Sequence, residues 1–324
     1  MIIAAASQSS GNIQKDVANH IMGHVSNTTP GHHIWDKADY PLLQSIYNNF
    51  GIDLSISKHV FMLWLVALIV GVVVIIPVRA FLNRGDQVPK GWMNALEAVV
   101  QFIRDSIVKP NVGEKWVMTW SPIILTFFFF ILFANGIGMI PIFDLLGATN
   151  RFLLEPTLSD TYAQDNFINH LLHGGATATG NFNVTGALAT ITFFSIMAAG
   201  IMAHGFMQHW KNLVPHGLPW PVYIILIPIE LMGLIVKPFA LTMRLAANMT
   251  GGHIALLALL SLMTLFGHKF GAAAGIGVSF ISVPMAAAIS ALEIIVVLVQ
   301  AYVFTLLTAA VSYTHLTLPT KRIV

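Results

Sequence analysis

The sequence predicts an all-α integral membrane protein with five to six apolar helices and one interfacial amphipathic helix, and three observations carry that expectation. Of 324 residues, 56% are hydrophobic and only 9% charged, with a mean hydropathy of +0.75, far from the balance of a water-soluble domain. Apolar runs of about 20 residues recur, and as helices they are long enough to cross about 30 Å of hydrocarbon. Ionisable residues stand inside the last two runs, where a centrally placed charge costs roughly 2.5 to 3.5 kcal/mol to insert. The formal charge of +2 and pI of 8.8 come from segments beside the apolar runs and form no basic face, which argues against a nucleic-acid partner. The chain has no cysteine, so disulfides and thiolate metal sites are excluded.

Residues 1–58 are polar and mixed and read as an extramembrane segment with short helical pieces. The opening MIIAAASQSS lacks the basic start and long apolar core of a secretory signal and is expected to be mature sequence. His20, His24, His32 and His33 have a spacing that could hold a metal, but no carboxylate cluster accompanies them, and solvated histidines are the plainer reading. A first span is expected over residues 59–81. In GWMNALEAVVQFIRDSIVKPNVGEKW, Trp92, Leu96, Val99, Val100, Ile103 and Ile107 recur at helical spacing against Glu97, Arg104 and Asp105. That pattern predicts a helix lying in the membrane interface.

Residues 79–115 hold Arg79, Arg84, Lys90, Arg104, Lys109 and Lys115, whereas residues 142–183 hold Arg151 alone beside Asp144, Glu155, Asp160 and Asp165. The positive-inside rule therefore puts the first loop in the cytoplasm. A second span over 116–141 and a third over 184–208 then place the N-terminus outside. Residues 221–266 are almost continuously apolar and would reach about 68 Å as one helix. Either the run breaks at Gly251-Gly252 or it lies steeply tilted. Residues 275–310, about 53 Å if helical, pose the same question with Pro284 as a possible bend, and GHKFGAAAG reads as the turn between.

Glu230, Lys237, Arg244, His253 and Glu293 lie within these last two runs, with Asn248 and Gln300 as uncharged companions. At such depth they should face protein or water and serve ion movement. For Lys237 the plain alternative is a long side chain reaching the interface. On a helix Arg244 and Asn248 share a face, and Glu230 lies about 21 Å away on nearly the same face. His253 is about half a rotation round and about 13 Å along from Arg244. Glu293 and Gln300, seven apart, also share a face. A helical hairpin could bring His253 beside Glu293 as a proton-relay pair, and the alternative is two separately satisfied polar residues. A guanidinium stays protonated at physiological pH, so Arg244 can hold a carboxylate ionised without taking its proton. Histidine and glutamate exchange protons near neutrality and suit a water-accessible path towards such a barrier.

The stretch ELMGLIVKPFALTMRLAANMTGGHIALLALL resembles the signature segment of ATP synthase subunit a, whose essential arginine sits in an RLxxN context. ALEIIVVLVQAYVFTLLTA resembles its last helix, and FFFFILFANGIGMIP and GNFNVTGALATITF resemble earlier spans. The resemblance implies that Arg244 is that arginine, with Asn248, Glu230 and Gln300 at the family's polar positions and His253 with Glu293 as its acid and histidine in exchanged order. It also implies five membrane helices, the last two a long tilted hairpin facing a ring of c subunits, and b subunits as further partners beside lipid. Protons, or sodium ions in their place, would pass by two half-channels that load and unload the c-ring carboxylates. The subunit would sit in a bacterial inner membrane, hold no cofactor and carry no catalytic site of its own, in keeping with the lack of a Walker A pattern.

The membrane domain is accordingly expected over 59–310. The ending VSYTHLTLPTKRIV resembles a translated sequencing adapter, so 311–324 is expected to be non-native. The rival function is a secondary transporter with a buried Arg/Glu/His site. It predicts an internal repeat, and none is visible between the halves, since every deep ionisable residue follows residue 229.

Overall fold

The structure is a computed structural model that describes residues 15, 17–19, 21–22, 40–51, 58–84, 88–139, 177–207 and 220–316. His20, His24, His32, His33, Arg151 and the acidic residues of the 142–176 stretch lie outside them. Among the described residues the regular elements are helices without a strand. Helix α1 (Pro41–Phe50) opens on Pro41 and closes on Gly51, whose φ of 68° suits glycine and lets its N–H reach the Tyr47 carbonyl.

The first apolar span comprises α2 (Lys58–Val70), a π-helical turn (Gly71–Ile75) and α3 (Ile76–Arg84). Pro77 explains the turn. Proline has no N–H for the carbonyl four residues back, here Val73, and its ring crowds that carbonyl. The Trp92 indole, reaching over from the next helix, donates to the Val73 oxygen at 3.1 Å. Trp92, expected on the buried stripe of its helix, is instead 56% exposed, because its polar edge is spent on this backbone group.

The amphipathic segment forms α4 (Trp92–Ile103), a second π turn (Arg104–Val108) and α5 (Lys109–Val112), again with a proline two residues beyond the π turn, at Pro110. Leu96, Ile103 and Ile107 are buried as the periodicity requires. On the outer side Arg104 Nε donates to Asp105 at 2.9 Å and Lys109 pairs with Glu114 at 2.9 Å. The Arg104 hydrogen bond holds the Asp105 carboxyl below its ordinary range. Its contribution is therefore present at neutral pH and lost as pH falls through the lowered value, and the exposure of both side chains leaves it screened by salt.

Helix α6 (Val117–Met139) and α7 (Phe182–His204) follow, each of 23 residues, with a 3₁₀ turn (Ala178–Gly180) just before α7. Helix α8 (Trp220–Phe270) is a single helix of 51 residues and α9 (Ala272–Leu316) one of 45. Gly251-Gly252 does not break the first, nor Pro284 the second. At 1.5 Å per residue α8 is about 76 Å long. Among the described residues four helical spans are long and apolar enough to cross a membrane: His59–Arg84, Val117–Met139, Pro221–Phe270 and Ala272–Ala309. Within α7, Phe182–Ser195 is a shorter apolar segment.

The chain divides into two compact units. One takes residues up to Leu65, Ala134–Asn181 and Ala247–Val296, and the other takes Val66–Phe133, Phe182–Ala246 and the chain from Val297. The second unit holds one apolar core, in which Ile103, Ile107, Ile124, Ile131, Leu245 and Ala301 are fully or almost fully buried and Phe127 meets Phe304 edge-on at 5.7 Å. In the first unit the turn between the two long helices is made by Gly271, at a φ of 93°. Beside it Gly275 packs so closely that a Cβ there would stand 3.0 Å from the Gly267 Cα and 3.0 Å from the Met263 carbonyl oxygen. Both obstacles are backbone, which moves little. Gly275→Val should therefore splay this hairpin at a cost of about 1 to 3 kcal/mol, read as a lowered thermal midpoint of the detergent-solubilised protein. Gly277→Val, whose Cβ meets nothing within 4 Å, is the control.

Candidate functional site

In the first unit, polar side chains gather where the long helices and the 3₁₀ turn meet. Glu293 on α9 is 7% exposed, and its Oε1 finds no hydrogen-bond partner among the described residues. A buried carboxylate oxygen of this kind is costly unless a proton, an ion or water serves it. The carboxylate lies against Gly252 of α8, where a Cβ would come within 2.8 Å of the Glu293 Cδ. Glycine at 252 is thus what admits the acid.

The next residue, His253, is half-buried, and its Nε2 stands 2.6 Å from Thr177 Oγ1. Thr179 donates to the Asn135 side-chain oxygen, and the Thr250 hydroxyl donates to the Gly180 carbonyl at 3.2 Å. His253 and Glu293 thus occupy one neighbourhood, since the acid lies against Gly252, the residue before His253 on α8. Asn248, on the same stretch of α8, is exposed.

In the second unit Arg244 is exposed, and no carboxylate among the described residues lies within ion-pair distance of it. Gln300, 5% exposed, donates its amide Nε2 to the Arg244 carbonyl at 3.2 Å. The glutamine thereby fixes the arginine's backbone and leaves the guanidinium uncommitted. A cavity of about 220 Å³ is lined by Ala189, Thr192, Lys237, Leu241, Arg244 and Thr308, among others. Its walls are largely apolar and its two charged groups both cationic, so it suits an anionic group better than a cation. Lys237 is exposed and Glu230 half-buried on the same helix. Among the described residues no group of three or more His, Asp or Glu could hold a metal ion.

Thr177, Thr179 and Asn135 escaped the sequence reading. Asn135 had a signal, being the one carboxamide in the apolar helix VMTWSPIILTFFFFILFANGIGM. Thr177 had none, because its role arises only when a turn some 76 residues before His253 folds back onto it.

A family profile described as the ATP synthase A chain matches residues 60–313. An "ATP synthase subunit a 2" of Chlorobium luteolum is 40% identical over 261 residues, which is 80% of this chain and 65% of that protein. An "ATP synthase subunit a" of Myxococcus xanthus is 41% identical over 259 residues, 80% of this chain and 72% of that one. An "ATP synthase subunit a 2" of Chlorobaculum tepidum is 34% identical over 308 residues, 94% and 75% of the two chains. The matched stretch is thus just under two thirds of the Chlorobium luteolum protein's length.

The packing of Gly252 against Glu293 makes a coupled prediction. Gly252→Ala should destabilise the protein by about 1 to 3 kcal/mol through overpacking, and that cost should largely vanish in a Glu293→Ala background. Thermal midpoints of the two single variants and the double variant measure the coupling. An undiminished cost in the double variant would mean that the carboxylate is not what Gly252 accommodates.

Proposed function

The chain belongs to the ATP synthase A chain family, and from that premise we propose that it is the proton-translocating stator subunit of a bacterial F-type ATP synthase. In this reading it lies in the inner membrane with its N-terminus outside, and residues 59–310 form the membrane domain. Its long helices face a ring of c subunits, with b subunits of the peripheral stalk and lipid as further neighbours. Protons, or sodium ions if the ring's carboxylate site selects them, enter from outside past His253, Glu293, Gln300 and Asn248. They load a c-subunit carboxylate, ride the ring, and leave inward near Glu230. Arg244 separates the two half-channels. Rotation of the ring then drives ATP formation elsewhere in the complex, so no catalytic site is expected in this chain.

The observation that carries the reading is the state of Arg244. Its side chain is exposed on a long apolar helix, its carbonyl is held by Gln300, and no carboxylate of the described residues neutralises it. An uncompensated cation is expensive in a membrane, so an acid from a partner passing this face meets its requirement. A permanent cation holds that acid ionised and blocks direct proton leakage between the channels. Glu293 supports the outer path, because a buried carboxylate oxygen without a partner among the described residues is suited to binding a transferable proton.

Arg244→Ala in the reconstituted complex should reduce proton-driven ATP synthesis to background. Lys237→Gln should leave most of it, since Lys237 is read as a long side chain that reaches the interface and takes no part in the proton path. Synthesis that survived Arg244→Ala would end the subunit-a assignment of roles. Solute uptake by this chain without partner subunits would point to a secondary transporter instead.

A further inference from the structure

Within the first unit, Thr177 and the 3₁₀ turn after it are fastened at three points. The Thr177 hydroxyl meets His253, Thr179 meets Asn135, and the Gly180 carbonyl accepts from Thr250. Thr177 is 2% exposed and Thr179 fully buried. The approach of Thr177 depends on an empty position across from it. A Cβ on Gly138 would stand 2.6 Å from the Thr177 Cβ and 2.8 Å from its Cα. A buried hydroxyl is thus held against one ring nitrogen by anchors at Thr179 and Gly180 in the turn that follows it.

We infer that Thr177 is the residue that positions the His253 imidazole for proton exchange, an assignment that rests on His253 lying on the outer proton path. A hydroxyl can both donate and accept. It donates to Nε2 of the neutral ring and accepts from the Nε2–H of the imidazolium, so the anchor survives each change of protonation. A backbone carbonyl would serve only the protonated nitrogen, and an ammonium only the bare one. The ring keeps its aim while its charge changes, next to the Gly252 contact that seats Glu293. Thr177 acts through His253 and holds no transferable proton of its own at neutral pH.

The test is a set of variants in the complete reconstituted enzyme, with recovery of the whole complex as the check on assembly and proton-driven ATP synthesis as the rate. Thr177→Val keeps the shape and removes the hydroxyl. It should slow synthesis roughly fivefold, the scale of one neutral hydrogen bond, and Thr177→Ser should restore most of that loss. Gly138→Ala should reproduce the valine variant by displacing Thr177. In a His253→Ala background Thr177→Val should cost nothing further. Where the valine complex is not recovered, Thr177→Ala makes the same comparison. A wild-type rate for Thr177→Val, a serine variant as slow as the valine one, or a full added cost in the double variant would each overturn the inference. A wild-type rate for His253→Ala overturns the outer-path reading together with this inference, whereas a loss in His253→Ala without one in Thr177→Val overturns the inference alone.

Discussion

Hydrocarbon offers no hydrogen bonds, so every backbone N–H and C=O within it must find a partner in the protein, and the described structure is organised around that demand. Long helices meet it for most residues without help. Difficulty arises at the prolines, each of which leaves a carbonyl one turn earlier without its usual donor. Pro77 does so to Val73, and the remedy comes from Trp92 on another helix. The bond ties the amphipathic segment to the first apolar span and holds the tryptophan out of the core. Hydroxyl side chains that bond to the preceding turn, such as Thr126 to Pro122 and Thr242 to Pro238, remove their own unpaired groups in the same way.

Against that background, two of the groups without a partner among the described residues bear on the proposed path. In one unit it is the acid oxygen of Glu293, seated where Gly252 has no side chain. In the other it is the guanidinium of Arg244, whose backbone alone is engaged. The two differ in what would satisfy them. A carboxylate can take up a proton, whereas a guanidinium can only acquire a neighbouring anion. A titratable acid and a permanent cation therefore suit transfer and separation respectively, which is the division of roles proposed for the proton path.

Much of this was legible in the residues. Apolar run lengths give the membrane class, and the spacing of Leu96, Ile103 and Ile107 gives the buried side of the amphipathic helix. The RLxxN segment singles out Arg244. Gln300 was legible as a polar residue of importance but not in its task. Its burial and its bond to the Arg244 carbonyl exist only once the last helix packs against that turn of α8. Both π turns stand two residues before a proline, a local cue that periodicity alone passes over.

The sequence by itself determined the solvent this protein lives in, the helical nature of its spans and the few residues that can carry charge there. Those follow from transfer energies and from the helical period, which are properties of short stretches of chain. Whether residues 221–266 form one helix or two was undecidable from composition, because Gly251-Gly252 is compatible with both, and the structure carries the run within one helix, Trp220–Phe270. Likewise only the tertiary structure set Thr177 on His253 and Gly252 against Glu293. Such contacts join segments 76 and 41 residues apart, and their geometry depends on which backbone lacks a Cβ at the point of approach.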